Sequence, residues 1–217
     1  MKRIIILISG NGSNLEAIIN ACNSGYINGE IVNVISNNPD AYGIERSNKF
    51  NIKTKIINHK DFDSRIKFDD ELENYLSELK PDLIVLAGFM RILGKKIINR
   101  FANKMINLHP SLLPLYPGLN THEQVLKNND KRHGISIHFV NPQLDAGPLI
   151  AQASIEIGSD KRLDQLIKRI HTIEHHLLPK VIKEMCLDNI YLDKNNKVIY
   201  KEQDDHPQSR FFVEMNV

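Results

Sequence analysis

Two cysteines in 217 residues, Cys22 and Cys186, are too few for a disulfide-stapled secreted scaffold and point to a reducing cytoplasm. Cys22 also falls on the apolar stripe Leu15, Ile18, Ile19, Cys22, where packing explains it better than reactivity. Neither sign of charge dominates. The 28 lysines and arginines stand against 26 aspartates and glutamates and are spread among them, so a nucleic-acid footprint is missing. The pairs Lys161-Arg162 and Lys168-Arg169 read as the solvated side of a helix. No apolar run approaches the roughly 20 residues of a membrane span. Met1-Lys2-Arg3 and the apolar residues 4–8 open like an export signal, but the run is too short. It stops in Ser9-Gly10-Asn11-Gly12-Ser13-Asn14 without a small-residue cleavage site. A chain 41% apolar and 25% charged is ordinary for a soluble globular protein, and residues 1–217 are expected to form one domain with a sizeable core.

Short β-branched apolar runs alternate with amphipathic segments. Strands are expected at 3–9, 31–36, 54–57, 83–87, 105–109, 135–140 and 149–157. Helices are expected at 13–23, 42–50, 64–79, 95–101 and 121–128, with a long one over 161–185, kinked or broken near Pro179. Nearly continuous apolar strands separated by helices make an α/β fold: a mostly parallel twisted sheet with helices on both faces. Residues 189–200 hold two β-rich pieces around 193–196, the pattern of a hairpin.

The most informative stretch is Asn107-Leu108-His109-Pro110-Ser111-Leu112-Leu113-Pro114. On a strand, Asn107 and His109 point the same way and Leu108 the other, and Pro110 ends the ladder. An amide donor and a titratable imidazole then stand together at a strand's carboxyl end, where open α/β sheets bind ligands. Residues 141–148 join two strands and include Leu144-Asp145-Ala146-Gly147-Pro148. Asp145 shares the edge of His109 if those strands are parallel, and a carboxylate there would orient and charge the imidazole. The alternative is a carboxylate that only stabilises its own turn.

Ser9-Gly10-Asn11-Gly12-Ser13-Asn14-Leu15 links the first strand to the first helix. Its glycines let backbone N–H groups turn toward an anion at a helix N-terminus. The third glycine of a dinucleotide fingerprint is missing, and no Gly-Lys-Ser/Thr follows, so one phosphate group is the better fit. A tight turn capped by Ser13 is the structural alternative. Residues 86–93, Leu86-Ala87-Gly88-Phe89-Met90-Arg91-Ile92-Leu93, lie at another strand end and mix apolar side chains with free backbone groups, which suits a flat heteroaromatic ligand as well as a core. Arg65, near the start of its helix, can pair with a ligand carboxylate, though an exposed arginine needs no such role. Glu174 lies on the apolar stripe of the last helix (Leu163, Leu166, Ile167, Ile170, Leu177) and needs a partner there: a substrate amine or hydroxyl, or an internal salt bridge.

His171-Thr172-Ile173-Glu174-His175 matches a zinc-peptidase pattern, but a further ligand would have to come from Glu184, Glu202, Asp204 or Asp205, and no metal is expected. His122 and His138 read as structural.

Taken together, these motifs resemble the folate-dependent formyltransferases, in particular the phosphoribosylglycinamide formyltransferase family. The resemblance runs from Ile4 to about Pro179. It rests on Ile8–Leu15, on residues 86–93, on Asn107–Pro114, on Tyr116-Pro117-Gly118, on residues 144–148 and on Glu174-His175. It implies a Rossmann-like N-terminal half (about 1–100) that holds the substrate phosphate at Gly12, Ser13 and Asn14. A folate and catalytic half follows (about 101–188), then a tail (about 189–217). It implies catalysis by Asn107, His109 and Asp145, and Glu174 on the sugar or glycinamide side of the substrate. The reduced folate, 10-formyltetrahydrofolate, is expected along Met90, Arg91, Ile92, Leu93, Asn107, Val140 and the loop Asn141–Asp145, with its glutamate tail near Arg65. The other substrate is 5'-phosphoribosylglycinamide, and the enzyme is expected in the cytoplasm as a monomer or homodimer. Asn120 stands where some relatives have histidine, so that position receives no role. The tail beyond Pro179 carries no recognisable motif.

Formyltetrahydrofolate deformylase and methionyl-tRNA formyltransferase share the Asn, His and Asp set. The resemblance implies a regulatory domain for the first and an RNA-binding domain for the second, neither of which is expected here. A zinc hydrolase on His171 and His175, or a non-catalytic folate-binding module, are the readings from other classes.

Overall fold

The computed structural model describes residues 1–158, 162–201 and 211–217. Ten strands are assigned among them: β1 (Lys2–Ile8), β2 (Gly29–Ser36), β3 (Thr54–Ile56), β4 (Leu83–Leu86), β5 (Met105–His109), β6 (Arg132–Phe139), β7 (Leu149–Glu156), β8 (Ile190–Leu192), β9 (Val198–Tyr200) and β10 (Phe212–Glu214). The α-helices are α1 (Ser13–Asn23), α2 (Tyr42–Lys49), α3 (Arg65–Leu79), α4 (Lys95–Arg100), α5 (Thr121–Lys127) and α6 (Leu163–Cys186). Eight strands form one sheet in the order β10-β7-β6-β5-β4-β1-β2-β3, so the order reverses at β1, as in doubly wound folds.

Sequence pattern accounts for this arrangement. The run Ile4–Ile8 is buried on both faces: Ile4, Ile6 and Ile8 enter one core with α1 and α6, while Ile5 and Leu7 enter the other with α3 and α4. A central strand covered on both sides must be apolar throughout. In α1 the stripe Leu15, Ile18, Ile19 is buried, and in α3 Phe68, Leu72 and Leu76 are, at the spacing of a helix face. Ser64 caps α3 by accepting the Lys67 N–H at 3.3 Å.

Several expectations need correction. The strands are mostly parallel, but β6 runs antiparallel to both β5 and β7. The long helix α6 is not broken: it continues through Pro179, with Leu177, Leu178, Val181 and Ile182 buried on both sides of the proline. That apolar face holds the helix against the core across the lost backbone donor. The expected start of this helix at Lys161 lies outside the described residues. Ser13 is the first helical residue of α1 rather than its cap; Gly12 occupies the cap in a left-handed conformation with no side-chain cap bond. The tail adds β10, parallel to β7, which no expectation included. Its β8–β9 hairpin matches the pattern around residues 193–196.

Candidate active site

Strand β5 delivers Asn107 and His109 to one face, as alternation requires, and β6 sets His138 opposite Asn107 and Ser136 opposite His109. The His138 ring spans two groups. Its Nδ1 lies 2.9 Å from the Phe139 carbonyl, which can only accept, so that nitrogen carries a hydrogen. In the neutral ring Nε2 is then an acceptor, and it takes a hydrogen from Asn107 Nδ2 at 3.2 Å. The second Asn107 hydrogen points to Asp145 Oδ1 at 3.4 Å. The orientation of the Asn107 amide is thereby fixed. His138, read as structural from the sequence, lies in this cluster as the hydrogen-bond partner of Asn107.

His109 is buried, and both its nitrogens face acceptors. Nε2 lies 2.8 Å from the Tyr116 carbonyl and Nδ1 lies 3.5 Å from Asp145 Oδ2. An imidazolium satisfies both; a neutral ring leaves a lone pair against an oxygen. Tyr116 turns its carbonyl inward with φ +53°, a conformation uncommon for an aromatic residue.

Asp145 reaches this cluster by a route other than the expected one. Because β6 is antiparallel to β5, its carboxyl end pairs near the start of β5, with Phe139 opposite Ile106. The turn 141–148 folds back, and a left-handed Asp145 (φ +48°) points its carboxylate at Asn107, His109 and His138. The backbone N–H of Gly118 anchors Oδ2 at 2.8 Å. Burial would raise the carboxyl, but the neighbouring His138 and His109 rings and the Gly118 N–H outweigh it and hold Asp145 below the usual carboxylate range. An anion facing an amide and two imidazoles in a water-poor corner can orient the donors that meet a developing oxyanion and can move protons.

A second locus lies at the amino end of α1. Gly12 has φ +75°, and a Cβ there would meet Gly43 Cα at 2.6 Å, so only glycine fits. A helix leaves its first-turn N–H groups without partners inside the helix, here those of Ser13, Asn14 and Leu15. Asn14 Nδ2 donates to Glu174 Oε2 at 2.8 Å, while Asn14 Oδ1 is buried with no partner among the described residues. The Glu174 partner is thus an amide and not the cation of a salt bridge. Burial pushes the Glu174 carboxyl up from 4.5 to about 7 despite that bond.

Residues 88–94 form an irregular segment between β4 and α4. Met90 and Ile92 are exposed, Leu93 is buried in the core shared with α3, and Val140 packs half-buried against that core. Arg91 is half-buried with its guanidinium 5.9 Å from the Phe68 ring centre. Arg65 is exposed at the first position of α3, and its charge and that of Arg91 both act on Asp69.

Among the described residues the zinc pattern gains no third ligand. His171 and His175 stack at 6.1 Å, and among the described residues no group of three or more His, Cys, Asp or Glu is placed to hold a metal. Glu202, Asp204 and Asp205 lie outside the described residues. Elsewhere His122 and His133 pair at 2.8 Å, and burial holds His133 down at about 3. Both thiols are pushed up by burial, Cys22 to about 11 and Cys186 to about 12, which leaves neither reactive. No described helix is long and apolar enough to cross a membrane.

Comparison with known proteins shows the family to which the chain belongs. Residues 2–182 match the formyl transferase family. The phosphoribosylglycinamide formyltransferase of Escherichia coli K12 is 47% identical over 192 residues, covering 88% of this chain and 91% of that one. The trifunctional purine biosynthetic protein adenosine-3 of Drosophila melanogaster is 42% identical over 183 residues, covering 83% of this chain and 14% of that much longer protein. Among solved structures, the phosphoribosylglycinamide formyltransferase of Coxiella burnetii, in complex with CHES, superposes with a TM-score of 0.90 at 42% identity over 99% of each chain. The chain belongs to the formyl transferase family and groups there with the phosphoribosylglycinamide formyltransferases.

Proposed function

We propose that the chain transfers a formyl group from 10-formyltetrahydrofolate to the primary amine of 5'-phosphoribosylglycinamide, a step of purine biosynthesis, by direct acyl transfer through a tetrahedral intermediate. The observation that carries this reading is the convergence of Asn107, His109 and Asp145 on one buried corner at the sheet's edge.

The amine attacks the formyl carbon, and negative charge grows on the formyl oxygen. Asn107 supplies an amide hydrogen and His109 a positive charge. Their contacts to Asp145, 3.4 and 3.5 Å, are long, so an entering oxygen competes for them readily. One such donor is worth about 2.7–4 kcal/mol of barrier. The proton leaving the amine passes to Asp145 directly or through a water, and His109 returns one to the departing folate nitrogen. Every developing charge meets a named side chain, so the scheme calls for no metal.

The substrate phosphate lies over the first turn of α1, at Gly12, Ser13 and Asn14, where free N–H groups and the helix dipole favour an anion. Glu174, next to Asn14, takes the sugar or glycinamide side. The folate lies along Met90, Arg91, Ile92, Leu93, Asn107 and Val140, its glutamate carboxylates toward Arg65. The enzyme works in the cytoplasm, as a monomer or homodimer, on these two small molecules, with neither nucleic acid nor membrane as partner.

The test is formyl transfer followed by absorbance, with and without the ribonucleotide, before and after chelation. Turnover that requires the ribonucleotide and survives the chelator is expected. Folate breakdown without the acceptor would instead indicate hydrolysis.

A further inference from the structure

Residues 88–94 have neither helix nor strand to hold them, yet they expose Met90 (64%) and Ile92 (54%) to solvent. A segment of this kind keeps its shape only if its backbone groups are bonded elsewhere. Two side chains from distant parts of the chain do this, one near each end. Met90 N–H donates to Ser9 Oγ at 2.7 Å. The Ser9 hydroxyl donates in turn to Asn37 Oδ1, and Asn37 is itself buried, so the acceptor is held in place. Gly94 N–H donates to Asp69 Oδ2 at 2.8 Å.

Asp69 is an unusual residue to find here. It is 8% exposed, and among the described residues its Oδ1 has no partner and its carboxylate accepts only the Gly94 bond. Burying a carboxylate for one backbone hydrogen bond, with only the nearby charges of Arg65 and Arg91 in addition, is costly, and an apolar residue at this place on α3 would pack at lower cost. Gly94 fits the same picture, since a Cβ on it would come within 2.7 Å of Asp69 Oδ2. Asp69 also stands four residues after Arg65, on the same side of α3.

We propose that Ser9 and Asp69 are positioning residues that clamp the two ends of segment 90–94 and so hold Met90, Arg91, Ile92 and Leu93 as a preformed platform for the folate. This rests on the folate placement proposed above. Neither residue touches the reacting atoms. Their effect is to remove, before binding, the ordering cost that a loose segment would impose on folate affinity. Ser9 ends the path from β1 into the glycine loop, so its hydroxyl also ties the folate platform to the ribonucleotide side.

The test pairs backbone hydrogen exchange in the ligand-free enzyme with steady-state kinetics, on Asp69→Ala, Asp69→Asn and Ser9→Ala. Loss of one clamp bond is expected to speed exchange at Gly94 (Asp69→Ala) or Met90 (Ser9→Ala). The folate KM is expected to rise about five- to tenfold. In Asp69→Ala the ribonucleotide KM should stay within about twofold. Asp69→Asn keeps an oxygen acceptor and should restore both readouts. Unchanged exchange in both Asp69→Ala and Ser9→Ala would show that the clamp does not exist. Faster exchange with an unmoved folate KM, and no slowing across 88–94 when tetrahydrofolate is added to the wild type, would overturn the folate placement instead. Ser9→Ala leaves the core untouched, so the proposal stays testable even if Asp69→Ala does not fold.

Discussion

Asp145 Oδ2 lies 3.5 Å from His109 Nδ1, while the Tyr116 carbonyl stands 2.8 Å from the Nε2 of the same ring. The imidazole is caught between two acceptors, and its charged form is the one that satisfies both. Under the proposed reaction, Asp145 is the carboxylate that holds the His109 ring toward the oxygen on which charge develops. Asp145→Asn keeps the shape and removes the charge. Turnover should fall by about 10²–10⁴-fold with both KM values within about threefold, measured by steady-state kinetics. A wild-type turnover in this variant would refute the role.

His138 orients Asn107 by accepting its amide hydrogen at 3.2 Å. His138→Leu removes the acceptor and frees the amide to rotate. Turnover should drop about ten- to hundredfold, as for a lost supporting partner. The double variant with Asn107→Ala should be no slower than Asn107→Ala alone, because both changes disable the same group. Additive losses would mean that His138 acts independently.

Glu174 is ionised at a cost. Its carboxyl is raised from 4.5 to about 7 by burial, so inside the fold the neutral form is favoured below about pH 7. The associated stability is fully present below about pH 4.5 and is lost as pH rises through about 7, a span worth about 3 kcal/mol. Glu174→Gln lacks this titration. Urea unfolding from pH 4.5 to 8 should show the wild type losing up to about 3 kcal/mol relative to the variant, while the variant's ribonucleotide KM rises.

Gly12→Ala tests the glycine loop. The new Cβ meets Gly43 Cα at 2.6 Å in a left-handed backbone conformation. The variant should lose about 2 kcal/mol or more of stability and bind the ribonucleotide more weakly, with folate KM much less affected. Denaturant titration and inhibition by inorganic phosphate measure the two effects.

Asn107 and His109 are legible in the sequence because a short apolar run ending at Pro110 defines both the strand and its carboxyl edge. Local pattern carries that much. His138 is not legible, although alternation places it with Ser136 on one side of its strand. Only the antiparallel register, Asn107 opposite His138, brings it to the site, and register between residues 31 positions apart leaves no local mark. Asp145 is legible as a residue, but the route by which it arrives is not, since the apolar run before it suits a parallel neighbour equally well. Gly118 N–H and the Tyr116 carbonyl are backbone groups, which residue identity does not advertise. Strand β10 escapes because its three residues pair with a partner 60 positions earlier, Phe212 with Gln152. Glu174 shows the opposite case: a carboxylate on an apolar stripe is a local anomaly, and it is buried as that anomaly indicates.

The most direct test of the account follows the formyl carbon itself. With 13C-formyl-labelled 10-formyltetrahydrofolate and the ribonucleotide, carbon NMR should show the label appearing on the glycinamide nitrogen at the rate folate is consumed. Asn107→Ala, His109→Ala and Asp145→Asn should each suppress that signal. Label collecting as free formate at the same rate, or transfer that persists in all three variants, would contradict it.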